Sequence, residues 1–246
     1  LVVSAGTKVN GYFDSRVFDM SVDADVPFIS YGAFSGDSVH IILDKTLDVL
    51  AFSFKSARQT LSDSTFLSGI ELTGKAYQDE VELRAGWSGS SNGTEGDLAV
   101  VGQVMGLRSY EFDLLPSKLF FGRGLWQSSG TAHFTIDSST VVVDSLQLEN
   151  EGQRVLLDGV ISRDPAQALD FAVSDVLLEN VMPFYKGPQL HGILNGEGRV
   201  FDVYGAPVLL SYLCADSLTI DDERLGDIRV SASWNEKQRF IELAGQ

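Results

Sequence analysis

Apolar side chains recur at every second position through most of this chain, and that period of two constrains its fold more than any other feature. Val39, Ile41 and Leu43 share one face while His40 and Asp44 take the other. Val81, Leu83, Ala85 and Trp87 alternate with Glu82 and Arg84, and Ala132, Phe134 and Ile136 alternate with His133, Thr135 and Asp137. Ile228, Val230, Ala232 and Trp234 do the same against Asp227, Arg229, Ser231 and Ser233. An extended strand puts successive side chains on opposite faces, whereas a helix needs a repeat of 3.6 residues. The pattern predicts an all-β chain of roughly fifteen strands, each with one wet and one dry face. Long helices between strands are missing, which disfavours a parallel α/β architecture.

Small polar residues and glycines punctuate the runs. Turns are expected at Asn10-Gly11, Ser35-Gly36-Asp37, Asn150-Glu151-Gly152, Asn195-Gly196-Glu197-Gly198 and Tyr204-Gly205-Ala206-Pro207, because Asn and Gly accept the positive φ of a tight reversal. The acidic triplet Asp221-Asp222-Glu223 reads as a turn as well. The longest polar stretch, residues 88–96, is the place for a subdivision of what otherwise reads as one segment, 1–246. Helical signals are confined to Asp175–Met182, stopped by Pro183, and to residues 54–67, which suit a short helix or a ragged strand.

Composition narrows the partners. With 18 basic and 34 acidic residues the formal charge is −16, which repels nucleic-acid phosphates. Apolar residues make up 44% of the chain, enough for a sizeable dry surface. Cys214 is the single cysteine, so no intrachain disulfide framework exists, and its neighbours Leu209 to Leu213 suggest a small buried side chain. No signal-peptide pattern opens the chain, and the segment reads as a piece of something longer.

Catalytic and metal-binding patterns are missing from the sequence. His40, His133 and His191 each stand alone, without a second ligand at metal spacing. Asp19, Asp23 and Asp25 are closely spaced but lack the later Gly and Glu of a calcium loop. No nucleophile elbow, zinc-protease helix or phosphate loop occurs, so neither an enzymatic activity nor a cofactor is expected. Asn92-Gly93-Thr94 fits a glycosylation acceptor and is equally explained as a turn.

The order of features over residues 126–246 carries a resemblance. Trp126 precedes strands at Thr131 to Asp137 and Thr140 to Asn150. Then come Gly152 to Ser162, Leu169-Asp170-Phe171, Leu177 to Phe184, and Leu190 to Gly198. Gly205-Ala206-Pro207, Leu218-Thr219-Ile220, Leu225 to Ile228 and Trp234 complete the series. This succession resembles the C-terminal part of the TamB-like translocation and assembly module family, relatives of the AsmA-like group and of bridge-like lipid transport proteins. The resemblance implies a half-open β trough, or β-taco, that guides phospholipid acyl chains through the periplasm of a two-membrane bacterium in outer-membrane biogenesis. It also implies anchoring of the longer protein in the inner membrane and a BamA/TamA-like barrel as outer-membrane partner.

Alternation alone, apart from any resemblance, offers an apolar strip to a ligand that needs no hydrogen bonds. Strands about 4.8 Å apart, some fifteen of them, would span about 70 Å, more than twice the ~30 Å of a bilayer core. The expected lining is Phe134, Ile136, Leu146, Leu148, Val155, Leu157, Leu218, Ile220, Ile228, Val230 and Trp234. The alternative is a structural or adhesive β-solenoid or sandwich in which the same side chains form a closed core without a lipid ligand.

Overall fold

The computed structural model describes residues 1–32, 34–62, 65–90, 93–106, 108–121, 124–180, 187–204, 207–235 and 240–245, the side chains at 61, 62, 65, 232–235 and 240–245 excepted. The chain divides into two compact units, Leu1–Val104 with Ser117–Leu119, and Met105–Pro116 with Phe120–Gln246. Residues 88–96 therefore lie within the first unit, and the division comes at 104–105.

The first unit runs through β1 (Val2–Val3), β2 (Lys8–Asp14), β3 (Asp19–Tyr31), β4 (Phe34–Thr46), β5 (Val49–Ser62), β6 (Thr65–Tyr77), β7 (Glu80–Trp87), β8 (Gly89–Ser90) and β9 (Glu95–Gly106). From β2 to β7 each strand pairs antiparallel with the next, and β7 pairs with β9. The chain continues through β10 (Ser109–Leu114), β11 (Lys118–Phe121), β12 (Gly124–Ser128), β13 (Ala132–Ile136), β14 (Val141–Asn150), β15 (Gln153–Ile161), β16 (Ala168–Leu177), β17 (Leu190–Phe201), β18 (Val208–Ile220), β19 (Glu223–Asn235) and β20 (Phe240–Gly245), all in the second unit except Lys118 and Leu119 of β11. From β13 to β20 consecutive strands again pair antiparallel, with β10 on the outer side of β13.

The all-β reading holds, but the sequence undercounted the strands: twenty form among the described residues rather than about fifteen. The described residues of the segment 54–67 are the end of β5 and the start of β6, and not a helix. Asp175 to Leu177 finishes β16, and the helical signal there amounts to one 3-10 turn, Leu178–Asn180; positions 181–186 lie outside the described residues. Glu151-Gly152 and Asp221-Asp222 do turn, each pair with both φ values positive, as a two-residue hairpin requires. Asn10-Gly11, Ser35-Gly36-Asp37 and Asn195 to Gly198 do not turn; they lie inside β2, β4 and β17. Gly198 shows the reason. A Cβ there would stand 2.6 Å from the Phe171 ring and 2.7 Å from the Leu210 carbonyl oxygen, so this glycine makes room for a neighbour that crosses it. Phe52 lies over Gly74 and Trp87 over Gly96 in the same way, each ring covering the glycine directly opposite on the next strand. A ring laid across a glycine shields its backbone and stays low on the sheet.

Register establishes the faces, because directly opposed residues in a ladder share one. One row of the second unit runs Leu148, Val155, Val173, Gly196, Leu213 and Val230 across six strands. In the first unit a row runs Val22, Leu43, Phe52, Gly74, Leu83 and Val100. The opposite faces carry rows such as Asp25, His40, Lys55 and Glu71, or Asp158, Asp170 and Arg199. In each unit one face is apolar and the other polar.

A bulge recurs in alternate strands of the second unit and keeps that separation intact. The register breaks between Val143 and Leu146 in β14, between Val173 and Val176 in β16, and between Ala215 and Leu218 in β18. Each break holds a residue with left-handed backbone: Ser145 (φ 60°), Asp175 (φ 53°) and Ser217 (φ 54°). Each one's amide donates to a side-chain oxygen of the following strand, Ser145 to Asp158 Oδ2 at 3.0 Å, Asp175 to Asn195 Oδ1 at 2.8 Å, and Ser217 to Asp227 Oδ1 at 2.9 Å. One extra residue reverses the parity of everything after it. The sequence compensates with two adjacent polar residues, Asp144-Ser145, Ser174-Asp175 and Asp216-Ser217, so that the apolar side chains beyond the bulge return to the same face.

Few side chains are fully dry. Among the described residues the buried hydrophobic ones are Ala24, Val26, Val39, Trp126, Ala132, Val143, Val176 and Leu178. Val143 and Val176 flank bulges, and Val39 follows Ser38, another left-handed residue at φ 50°. Arms of a sheet that bend toward the apolar face would dry that crease first, which matches this placement. The chain exposes 15145 Å². A compact 26.7 kDa protein would expose about 10,700 Å², and two separate compact halves about 12,900 Å².

The bulge geometry predicts opposite outcomes for two substitutions at one position. Asp175→Val puts a β-branched side chain at positive φ and should lower stability by about 1–2 kcal/mol, while Asp175→Gly should be tolerated. Urea unfolding midpoints read the difference.

Candidate functional site

The candidate site is the apolar face of the second unit. Phe134 and Ile136 stand in β13, Leu146 and Leu148 in β14, Val155 and Leu157 in β15, Leu218 and Ile220 in β18, and Ile228, Val230 and Trp234 in β19. Their registers put all eleven positions on one face. Phe134 faces Val143, Leu146 faces Leu157, Leu148 faces Val155, Leu213 faces Val230, and Ala215 faces Ile228. Trp234 follows from its place in β19, opposite Ile241; its side chain lies outside the described residues.

The other ten are half-buried: none is dry and none is fully exposed. Cross-strand and same-strand neighbours on the face account for part of this burial. Phe112 stacks on Phe134 with centroids 4.9 Å apart and planes 6° from parallel, a lateral contact of that kind. The apolar lattice extends beyond the expected lining. Leu169, Phe171 and Val173 in β16, Val200 in β17 and Leu209 and Leu213 in β18 belong to the same face. The alternation in Leu169, Phe171 and Val173 was itself a signal for β16.

One corner of this face is sealed. Ser128 lies opposite Leu148, and Trp126, two residues back, is 1% exposed and stacks on Phe121 at 5.0 Å. Beside it Asn150 and Gln153 oppose each other, both buried. Gln153 Oε1 accepts hydrogen bonds from the Leu177 amide at 2.9 Å and from Asn180 Nδ2 at 2.8 Å. The apolar strip thus ends on a hydrogen-bonded carboxamide cluster held by the 3-10 turn. A buried polar group needs such partners, and their presence makes this corner a fixed stop.

The polar face contains the ionisable groups. Arg199 makes a bidentate pair with Asp170, and next to it a shallow depression of about 550 Å³ is lined by Leu156, Asp158, Ala172, Leu210 and Tyr212, among others. Cys214 sits on this face, opposite Asn195 and Arg229, and is half-buried rather than buried; its neighbour Leu213 takes the apolar face. The histidines are not alone. Each meets a carboxylate: His40 meets Asp25, His133 meets Asp113, and His191 meets Glu179 at 3.0 Å. Sequence spacing hid these pairs because the partners come from other strands or, for His191, from the 3-10 turn. Among the described residues no helix is long and apolar enough to cross a membrane, which leaves strand-based crossing unaddressed.

His133 joins β10, β13 and β14. Its Nδ1 lies 2.7 Å from Asp113 Oδ1 and its Nε2 3.1 Å from Glu111 Oε1, with Asp144 opposite on β14. The hydrogen bond to Asp113 holds the imidazole above its ordinary pKa of 6.5; partial burial opposes this, and the charges of Asp113, Glu111 and Asp144 reinforce it. A folded-state pKa raised above the unfolded one stabilises fully below pH 6.5 and loses that contribution as pH rises through the raised value. The melting temperature should fall over that window, and His133→Gln should flatten the fall.

The chain matches no protein-family model, no curated protein and no solved structure.

Proposed function

We propose that the apolar face of the second unit holds phospholipid acyl chains and guides them along the strand rows, as a non-catalytic segment of a TamB-like protein in outer-membrane biogenesis. The observation that carries the reading is that the ten expected lining residues whose side chains are described lie on a single face and are only half-buried. Exposed apolar surface beyond a few hundred Å² is costly on a soluble monomer unless a ligand or partner covers it. An acyl chain suits such a lining because it brings no polar group that would need a hydrogen bond. The Phe171 ring lies over Gly198 on this face, which keeps the surface low and leaves room for a guest. The polar opposite face keeps the segment in water, and the charge of −16 disfavours both nucleic acid and an anionic membrane surface as its partner.

On this reading the segment works in the periplasm as part of an inner-membrane-anchored protein, with a BamA/TamA-like barrel as the partner of the full-length chain. The sealed corner at Asn150, Gln153 and Asn180 marks one lateral limit of the lipid path. The competing reading is a structural or adhesive β protein whose apolar face is a core closed without lipid.

Leu157→Asp and Val230→Asp separate the two. A lipid-holding face should lose co-purifying phospholipid, measured by mass spectrometry, while the melting temperature falls little, because the carboxylates stay in reach of water. A closed core should lose several kcal/mol from a single buried, unpaired charge, with no phospholipid in the wild type.

A further inference from the structure

On the polar face of the first unit, β3 and β4 bring His40 to two carboxylates that lie well before it in the sequence. Asp23 and Asp25 are two residues apart on β3, and His40 faces Asp25 across the ladder. His40 Nδ1 lies 2.8 Å from Asp25 Oδ1 and 3.8 Å from Asp23 Oδ1, and one ligand atom of each residue lies within 4.8 Å of the others. We infer that Asp23, Asp25 and His40 form a binding site for a divalent transition cation of the Zn²⁺ class.

The argument rests on convergence. Both carboxylates approach the same imidazole nitrogen, so a cation between them meets one nitrogen and two oxygens while its remaining positions stay open to water. At His133 the carboxylates contact different ring nitrogens, Asp113 at Nδ1 and Glu111 at Nε2, and cannot share one ion with the ring. The protein's own cations do not meet the need at the first site. Lys55, the register neighbour of His40, is taken by Glu71 at 2.7 Å, and Lys8, opposite Asp25, makes no ion pair within 4.0 Å among the described residues. Two carboxylates are thus left with a single imidazole between them. The ligand set selects the metal class: a hard ion such as Ca²⁺ or Mg²⁺ takes six or more oxygens and has no use for imidazole, whereas Zn²⁺ accepts both donor types. Side-chain exposures of 56% for Asp23, 66% for Asp25 and 34% for His40 leave the site open to entry.

Calorimetric titration of the chelator-treated full chain with ZnCl₂ tests the inference. One saturable site per chain is expected, weakened at least about tenfold by His40→Ala and by Asp25→Asn and unchanged in a His133→Ala, His191→Ala double variant. Circular dichroism of His40→Ala, unchanged from the wild type, would show that the loss is not unfolding. Nitrogen NMR of the imidazoles should place the metal-dependent shift on His40 Nδ1. Absence of saturable Zn²⁺ binding, or binding that survives His40→Ala undiminished, would overturn the assignment.

Discussion

A single sheet layer can dry one of its faces only if every strand delivers its apolar side chains to the same side, and a bend in the middle of each strand threatens that. The bulges at Ser145, Asp175 and Ser217 resolve the conflict in the second unit. Each inserts one residue, takes a left-handed backbone, and has its amide accepted by an Asp or Asn side chain on the next strand. Without the doubled polar residue at each bulge, Leu146, Leu148, Val176 and Leu218 would face water and the face would be broken into halves. Continuity of the apolar rows, and with it any capacity to carry a long apolar guest, depends on this local backbone device.

Half-burial follows from the same constraint. Packing against neighbours removes part of each side chain from water and leaves the rest, so hydrophobic stabilisation at these positions is incomplete. The dry positions are the creases beside left-handed residues and the corner around Trp126, where the protein supplies its own cover. A guest that covers the remainder would add stability by linkage, which couples holding a ligand to the integrity of the sheet.

Much of this was legible in the sequence, and the misses have physical causes. The period of two identified the β class, and its parity placed Phe134, Ile136, Leu157, Ile228 and Val230 together on one face. Leu146 and Leu218 also join that face, through bulges at Asp144-Ser145 and Asp216-Ser217 that an alternation of period two does not encode. Glycines at 11, 36, 196 and 198 were read as turns because turn propensity and close cross-strand approach select the same residue. The strand count fell short where short strands such as β1, β8 and β12 continue the edge of a longer neighbour. Carboxylate partners of the histidines lie 12 to 20 residues away along the chain, a separation no local motif encodes.

The openness of the apolar face is the claim on which the functional account stands, and photocrosslinking reads it directly. A benzophenone amino acid at Phe171, on the apolar face, is compared with one at Ala172, on the polar face, after irradiation in the presence of phospholipid. The account predicts a phospholipid adduct, detected by intact mass, at 171 and none at 172. Crosslinks from 171 that join only distant residues of the same chain, with no lipid adduct, would show the face covered by the protein itself and contradict the account.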